Sequence, residues 1–203
     1  MQIDHISMER HFNMRIDKTE VFGFQAAIRG MRNPLNSWDK SDSGMDYLNN
    51  RFFLGNNDLK LAQKLINAGP EHSKFLRFIT AYMDIEAPLY FWKEFDTYKY
   101  VEKNSCSTMH KILSRPLTKD DFEHEEWSTE RENYLAYINN LIEEKQFRTV
   151  IQDLPSSYLQ KRTIITNYAE LRNIRRQREN HKLIEWHKVV KWIDELEYSE
   201  LLK

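Results

Sequence analysis

Apolar positions recur along this chain at two different periods, and the change of period marks out most of its elements. Leu59, Leu61, Ala62, Leu65 and Ile66 follow the i, i+3, i+4, i+7 spacing of a half-buried helix, with Asp58 placed to cap its start and Gly69-Pro70 to stop it. Phe75 to Ile85 has no single period, but Ile79-Thr80 and Tyr82 favour a strand, and Pro88 suits the first turn of a following helix. That helix carries Tyr90, Phe91, Phe95 and Tyr98 on one side and Lys93, Glu94 and Thr97 on another, and a second short helix is expected from Ser107-Thr108. From Ser128-Thr129-Glu130 onward, Tyr134, Leu135, Ile138, Leu141 and Ile142 form the stripe of a longer amphipathic helix.

Other segments read less sharply. Val21 to Met31 is a short apolar run ended by Asn33-Pro34, compatible with a strand or a buried helix, and residues 1–20 are expected to include a short strand. Residues 34–57 are rich in turn formers and read as a surface loop anchored by Phe52-Phe53. Near the C-terminus, Asn167-Tyr168-Ala169-Glu170 resembles a capping box. Leu171, Ile174, Arg178, His181 and Glu185 then share one face if the helix is continuous; a break would fall near Asn180-His181, before a core helix over 182–198. Helices separated by a few short strands give an α+β fold, a small antiparallel sheet flanked by helices, in a single domain over 1–203.

Charge narrows the function classes only by exclusion. Thirty Lys+Arg face thirty-one Asp+Glu, a net charge of −1, so bulk charge favours neither a nucleic-acid coat nor a membrane surface. A single cysteine, Cys106, excludes an intrachain disulfide framework, and no apolar run approaches the ~20 residues needed to cross a bilayer. These features, with no apolar leader at the N-terminus, predict a cytoplasmic protein.

Chemistry concentrates where polar groups are embedded among aromatics. Residues 69–109 mix His72, Lys93, Glu94, Lys99, Asn104, Cys106 and Ser107 with bulky apolar side chains, and polar groups in such surroundings are paired or used. Cys106, beside a helix start, reads either as an activated thiol or as a small buried residue. The acidic run Asp120 to Glu126 lacks a His pair at i, i+4 and reads as a solvated helix start rather than a metal site. Arg172, Arg175, Arg176, Arg178 and Lys182 could contact nucleic-acid phosphates, but they spread around the helix and Glu170 and Glu179 interrupt them, so a nucleotide phosphate is the better anion.

Two stretches resemble the flavin-dependent thymidylate synthases. Pro70-Glu71-His72 resembles that family's Pro-x-Glu-His strand start, Ala87-Pro88 its strand-to-helix corner and Lys93-Glu94-Phe95 its Arg-Gln-aromatic; Asn104 and Ser107 fall on the Asn and second Ser of its Arg-His-Arg-x-x-Ser-x-Asn-x-x-Ser-x-Arg motif. The Arg-His-Arg itself reads Thr97-Tyr98-Lys99, the first Ser is Glu102 and the closing Arg is Met109. Further on, Leu154-Pro155, Asn167, Asn173, Arg178 and, one residue offset, His181 fall in register. The resemblance implies reductive methylation of dUMP at C5 with FAD, NADPH and methylenetetrahydrofolate, in a homotetramer. It implies flavin contacts at His72, Lys93, Asn104, Asn173 and His181, and substrate contacts at Glu94, Lys99, Ser107 and Arg178. In that reading Arg178 also stabilises negative charge on the uracil, while Arg176, about 200° away around the helix, faces elsewhere. A diverged nucleotide-binding homologue and a nucleic-acid-binding protein using 172–182 remain the alternatives. A heavy aromatic load over residues 90–98 points the same way as the implied oligomer.

Overall fold

In a computed structural model, the described residues are 13–203. The elements are β1 (Arg15–Phe22), α1 (Phe24–Arg32), a hairpin of β2 (Gly44–Asp46) and β3 (Arg51–Phe53), α2 (Asn56–Ala68), β4 (Thr80–Pro88), α3 (Leu89–Phe95), β5 (Glu102–Ser105) and α4 (Thr108–Lys111). Then come α5 (Thr129–Glu143), α6 (Phe147–Asp153), β6 (Leu159–Asn167), α7 (Tyr168–Arg178) and α8 (Ile184–Asp194). The fold is α+β with a small antiparallel sheet, as the sequence implies; its four strands run in the order β1-β4-β6-β5. The strand expected within residues 1–20 begins at Arg15, and the rest of that stretch, up to Phe12, lies outside the described residues. Among the described residues no helix is long and apolar enough to cross a membrane.

The chain contacts cluster into two compact units. One contains Ile16–Asp84, Tyr98–Asn104 and Thr163–Lys203. Its helix α1 buries Phe24, Ala27, Ile28 and Met31, the spacing of one helical face. Gly23 starts that helix at φ 97, and a Cβ there would stand 2.1 Å from the Phe78 carbonyl oxygen, so only glycine fits. The run from Val21 to Met31 is thus neither alternative alone: the strand ends at Phe22 and the helix begins two residues later.

Residues 34–57 are not only loop. Gly44 pairs with Phe53 and Asp46 with Arg51 in an antiparallel hairpin, whose strands are too short to show a period. Phe52 is the aromatic anchor, stacked on Phe24 at 5.8 Å and edge-on to Tyr198 at 5.9 Å. Asp58 does not cap α2. It lies in the helix's first turn, fully buried, and takes Arg32 Nε at 2.5 Å together with the Ser41 hydroxyl and the amides of Asp42 and Ser43. Capping falls to Asp42, whose carboxylate accepts the Asn57 and Asp58 amides at 2.9 and 3.0 Å; Gly55 leaves room for it, since a Cβ there would meet that carboxylate at 2.2 Å.

The other unit contains Ile85–Thr97 and Ser105–Arg162, with the described residues before Ile16. Ile138, Leu141 and Ile142 of α5 pack with Ile112, Leu117, Phe122 and Val150. Ser128 caps α5 through the Arg131 amide and Ser107 caps α4 through the His110 amide, both where the sequence places them. The acidic run forms a 3-10 turn at Lys119–Asp121 closed by the Thr118/Asp121 capping box, and Glu123 is buried, accepting the Asn13 and Met14 amides. Helix α3 ends at Phe95, so Tyr98 lies beyond it. Phe91, Trp92, Phe95 and Tyr98 are buried within the chain, which removes the aromatic load as an argument for an oligomer. α6, β5 and β6 have no counterpart in the sequence reading, although Thr163-Ile164-Ile165-Thr166 is β-rich.

Candidate functional site

α7 carries the site because its two flanks do different work. Asn167, the last residue of β6, caps it by accepting the Glu170 amide at 3.0 Å, and Tyr168, Leu171 and Ile174 bury the helix. One flank, with Arg172, Asn173 and Arg176, lines a cleft of about 680 Å³ whose opposite side includes Ser73 and Arg77. No carboxylate among the described residues pairs with Arg77 or Arg176, and Arg172 has only the Lys203 carbonyl, at 3.2 Å. Burial, and then the neighbouring Arg176 charge, hold the Arg172 guanidinium below its ordinary pKa.

The other flank presents Arg178. Its guanidinium lies 4.4 Å from the centre of the Trp186 ring, and its Nε donates to the Tyr98 hydroxyl at 2.8 Å. From there hydrogen bonds run back along the helix: Tyr98 Oη donates to Gln177 Oε1 at 3.1 Å, and Gln177 Nε2 to Asn173 Oδ1 at 3.0 Å. Asn173 Nδ2 in turn donates to Glu170 Oε1 at 3.4 Å, and Glu170 is buried. Each donor points the same way along this chain, so the orientation of Arg178 is coupled to that of the Asn173 amide on the cleft wall.

His181 sits in the break between α7 and α8, its ring Nδ1 accepting the Leu183 amide at 3.1 Å and its face edge-on to Trp186 at 6.1 Å. The expected continuous face from Leu171 to Glu185 therefore does not exist; the helix stops at Arg178 and restarts at Ile184, with the break where the sequence allows one. Asn173, Arg178 and His181 nevertheless fall in one neighbourhood, through Gln177, Tyr98 and Trp186. His72 is exposed in the turn after α2; its neighbours Pro70 and Ser73 line the cleft, while His72 itself does not. Lys99 is exposed beside Tyr98, and Asn104 is exposed on β5. In the other unit, Lys93 is exposed and Glu94 half-buried on α3, and the Ser107 hydroxyl is held by His110 at the start of α4. Cys106 is exposed, with its amide donated to the Lys161 carbonyl at 2.9 Å.

Sequence reasoning overlooks Glu170 and Gln177, although Glu170-Asn173-Gln177 has the i, i+3, i+7 spacing of one helical flank. It treats Tyr98 as an apolar helix position and as a departure from a motif, not as a hydrogen-bonding group. The basic character of 172–182 is divided rather than striped: Arg175 is closed onto Asp194 at 2.7 Å and Glu179 at 3.4 Å, Arg178 faces Trp186, and Arg172 and Arg176 face the cleft. Among the described residues no group of His, Cys, Asp or Glu could hold a metal ion.

No family model and no curated protein matches the chain by sequence. Solved structures do match by fold. A flavin-dependent thymidylate synthase, ThyX, from Helicobacter pylori, complexed with FAD and dUMP, superposes with a TM-score of 0.73 at 16% identity, covering 93% of this chain and 98% of its own. A UMP/dUMP methylase, PolB, from Streptomyces cacaoi, bound with 5-Br dUMP, gives 0.61 at 11% identity over 89% of this chain and 88% of its own. At these identities the likeness is one of architecture: the chain shares the fold of these solved structures.

Proposed function

We propose that this chain is a flavin-dependent enzyme that methylates dUMP at C5, or closely related pyrimidine nucleotides, with FAD in the α7 cleft and the base beside Arg178. The observation that carries this reading is the hydrogen-bond chain from Arg178 through Tyr98 and Gln177 to Asn173, which ties a substrate-type arginine to the wall of a cleft large enough for a cofactor. The donors present suit FAD: arginines for its phosphates, and an Asn173 amide held in one orientation for its polar ring edge or ribose. When bound, the flavin would supply the hydride, with NADPH as its reductant and methylenetetrahydrofolate as the carbon source.

The chain's own residues bind and orient. The Trp186 face and the Tyr98 hydroxyl hold Arg178 in one rotamer, so its charge is already in place when negative charge develops on the uracil ring. His72, Lys93, Asn104 and His181 complete the flavin contacts in this reading, and Glu94, Lys99 and Ser107 the substrate contacts, within a homotetramer. The second reading, a nucleotide-binding homologue without flavin chemistry, is favoured by one observation: Tyr98, at the motif's His position, is buried and committed to Gln177 and Arg178.

Purification colour and flavin-fluorescence quenching, followed by dTMP formation from dUMP with NADPH and methylenetetrahydrofolate, separate the readings. Quenching with dTMP formation supports the enzyme. Binding of dUMP without any flavin binding supports the homologue. Light scattering at monomer mass would remove the tetramer.

A further inference from the structure

Five of the described arginines are each closed onto a carboxylate. Arg32 is closed onto Asp58, Arg51 onto Glu197, Arg115 onto Asp121, Arg162 onto Asp96 and Arg175 onto Asp194. The cleft gathers three that are not. Arg77, Arg172 and Arg176 line the cleft with Asn67 and Asn173, and the one side-chain carboxylate lining it among the described residues, Glu170, is buried and engaged by Asn173. Arg77 and Arg176 are exposed and Arg172 half-buried, and like charges gathered on a concave surface raise the local concentration of anions there. The depressed Arg172 pKa, set by burial and by Arg176, is the same imbalance seen from one member. Arg172 and Arg176 are one helical turn apart, so their side chains reach along the same flank, and Arg77 approaches from the segment after α2.

We infer that Arg77, Arg172 and Arg176 form a clamp for two linked phosphates, the pyrophosphate of a dinucleotide lying in the α7 cleft. The inference rests on the proposed cofactor cleft and deepens it: the phosphate-binding charge comes from α7 and the segment before β4. A single nucleotide phosphate would need one or two of these guanidinium groups. Three, spread over both sides of a cleft of about 680 Å³, suit a longer anion. Exposed Tyr100 on the same lining offers a ring face to a base at one end.

The test is equilibrium binding by the full chain of FAD, of ADP-ribose and of inorganic pyrophosphate, the last two read by competition with a fluorescent ADP analogue. Arg77→Ala, Arg172→Ala and Arg176→Ala should each weaken every one of these ligands about ten- to a hundred-fold. Arg176→Lys should recover part of the loss, and wild-type affinity should fall with added salt more steeply than that of the variants. Arg148→Ala, on an exposed stretch of α6, should change nothing. Circular dichroism checks that each variant is folded, and the lysine variant stands in for any alanine variant that is not. Wild-type binding of all three ligands with unchanged affinity in the arginine variants overturns the clamp and leaves the flavin reading standing. Arginine-dependent binding of pyrophosphate and ADP-ribose without FAD binding overturns the flavin reading and leaves the clamp. Binding of none of the three overturns both.

Discussion

Two sets of arginines in the same unit differ in what they face. Arg32 and Arg175 each meet carboxylates: Arg32 is buried against Asp58 with the Ser37 carbonyl as a further partner, and Arg175 is clasped by Asp194 and Glu179. Arg77, Arg172 and Arg176 meet a cleft instead. The first set finishes its electrostatics inside the fold and so contributes to holding α1 on α2 and α7 on α8. The second set has no side-chain carboxylate partner among the described residues and is left to solvent or, in the proposal above, to an anion. Arg178 rests on an aromatic face and donates to a hydroxyl.

The largest effect should come from the internally closed set. Asp58→Ala strands a buried guanidinium and unpairs the Ser41 hydroxyl and two amides, and should cost about 3–5 kcal/mol of stability, read by urea denaturation. A loss under 1 kcal/mol would mean that Arg32 finds water instead and that the comparison is wrong. Acid should reach the same node. Burial alone would raise the Asp58 pKa, but hydrogen bonds from Ser43 and Ser41 and the Arg32 contact outweigh it and hold it below its ordinary 3.8. A carboxylate depressed in the folded state contributes stability that is whole above its unfolded pKa and is lost as pH falls through the folded one. The stability of the wild type should therefore drop below about pH 4, and that of Asp58→Asn should drop less steeply, in urea melts across pH 2–6.

Next in size are the ligand-facing residues, which should separate by ligand rather than by stability. Arg178→Ala should weaken dUMP binding ~100-fold by calorimetry while leaving pyrophosphate binding near wild type, and Arg176→Ala should do the reverse. This revises the expectation that Arg176 is idle. That expectation held one face of α7 to be the site, whereas the proposed clamp draws on a second flank that lines the cleft. Equal losses for both ligands in both variants would merge the two flanks into one site. Smaller again, Tyr98→Phe removes the hydroxyl between Arg178 and Gln177 and should cost about 1 kcal/mol of stability with a few-fold loss in dUMP affinity. If Arg178 needed only the Trp186 face, dUMP affinity would not move.

Local chemistry carries much of the fold. Gly69-Pro70 ends α2, Ser107, Ser128 and Asn167 cap their helices, and the β-favouring residues around Thr80 and Tyr82 fall in β4, because each of these depends on residues within about one turn of one another. The β2–β3 hairpin, β5 and β6 are less visible, since short strands have little period and take their definition from partners far along the chain. Asp58 shows the same limit at one residue: its spacing suits a cap, but Arg32, twenty-six positions earlier, takes the carboxylate.

The site divides along that line. Asn167 stands out as a capping residue and Arg178 as a position on the Leu171/Ile174 face, both local patterns, while Asn173 stands out only through the family order it matches. Where those side chains point is a tertiary decision. The break after Arg178 lets α8 fold back so that Trp186 lies under the guanidinium, and Tyr98 arrives from beyond α3 to receive its Nε. The cleft, likewise, exists only because Arg77 and Ser73 come to face α7 from nearly a hundred residues away, and one-dimensional spacing contains no record of which charges in a chain will lack a carboxylate once it is folded.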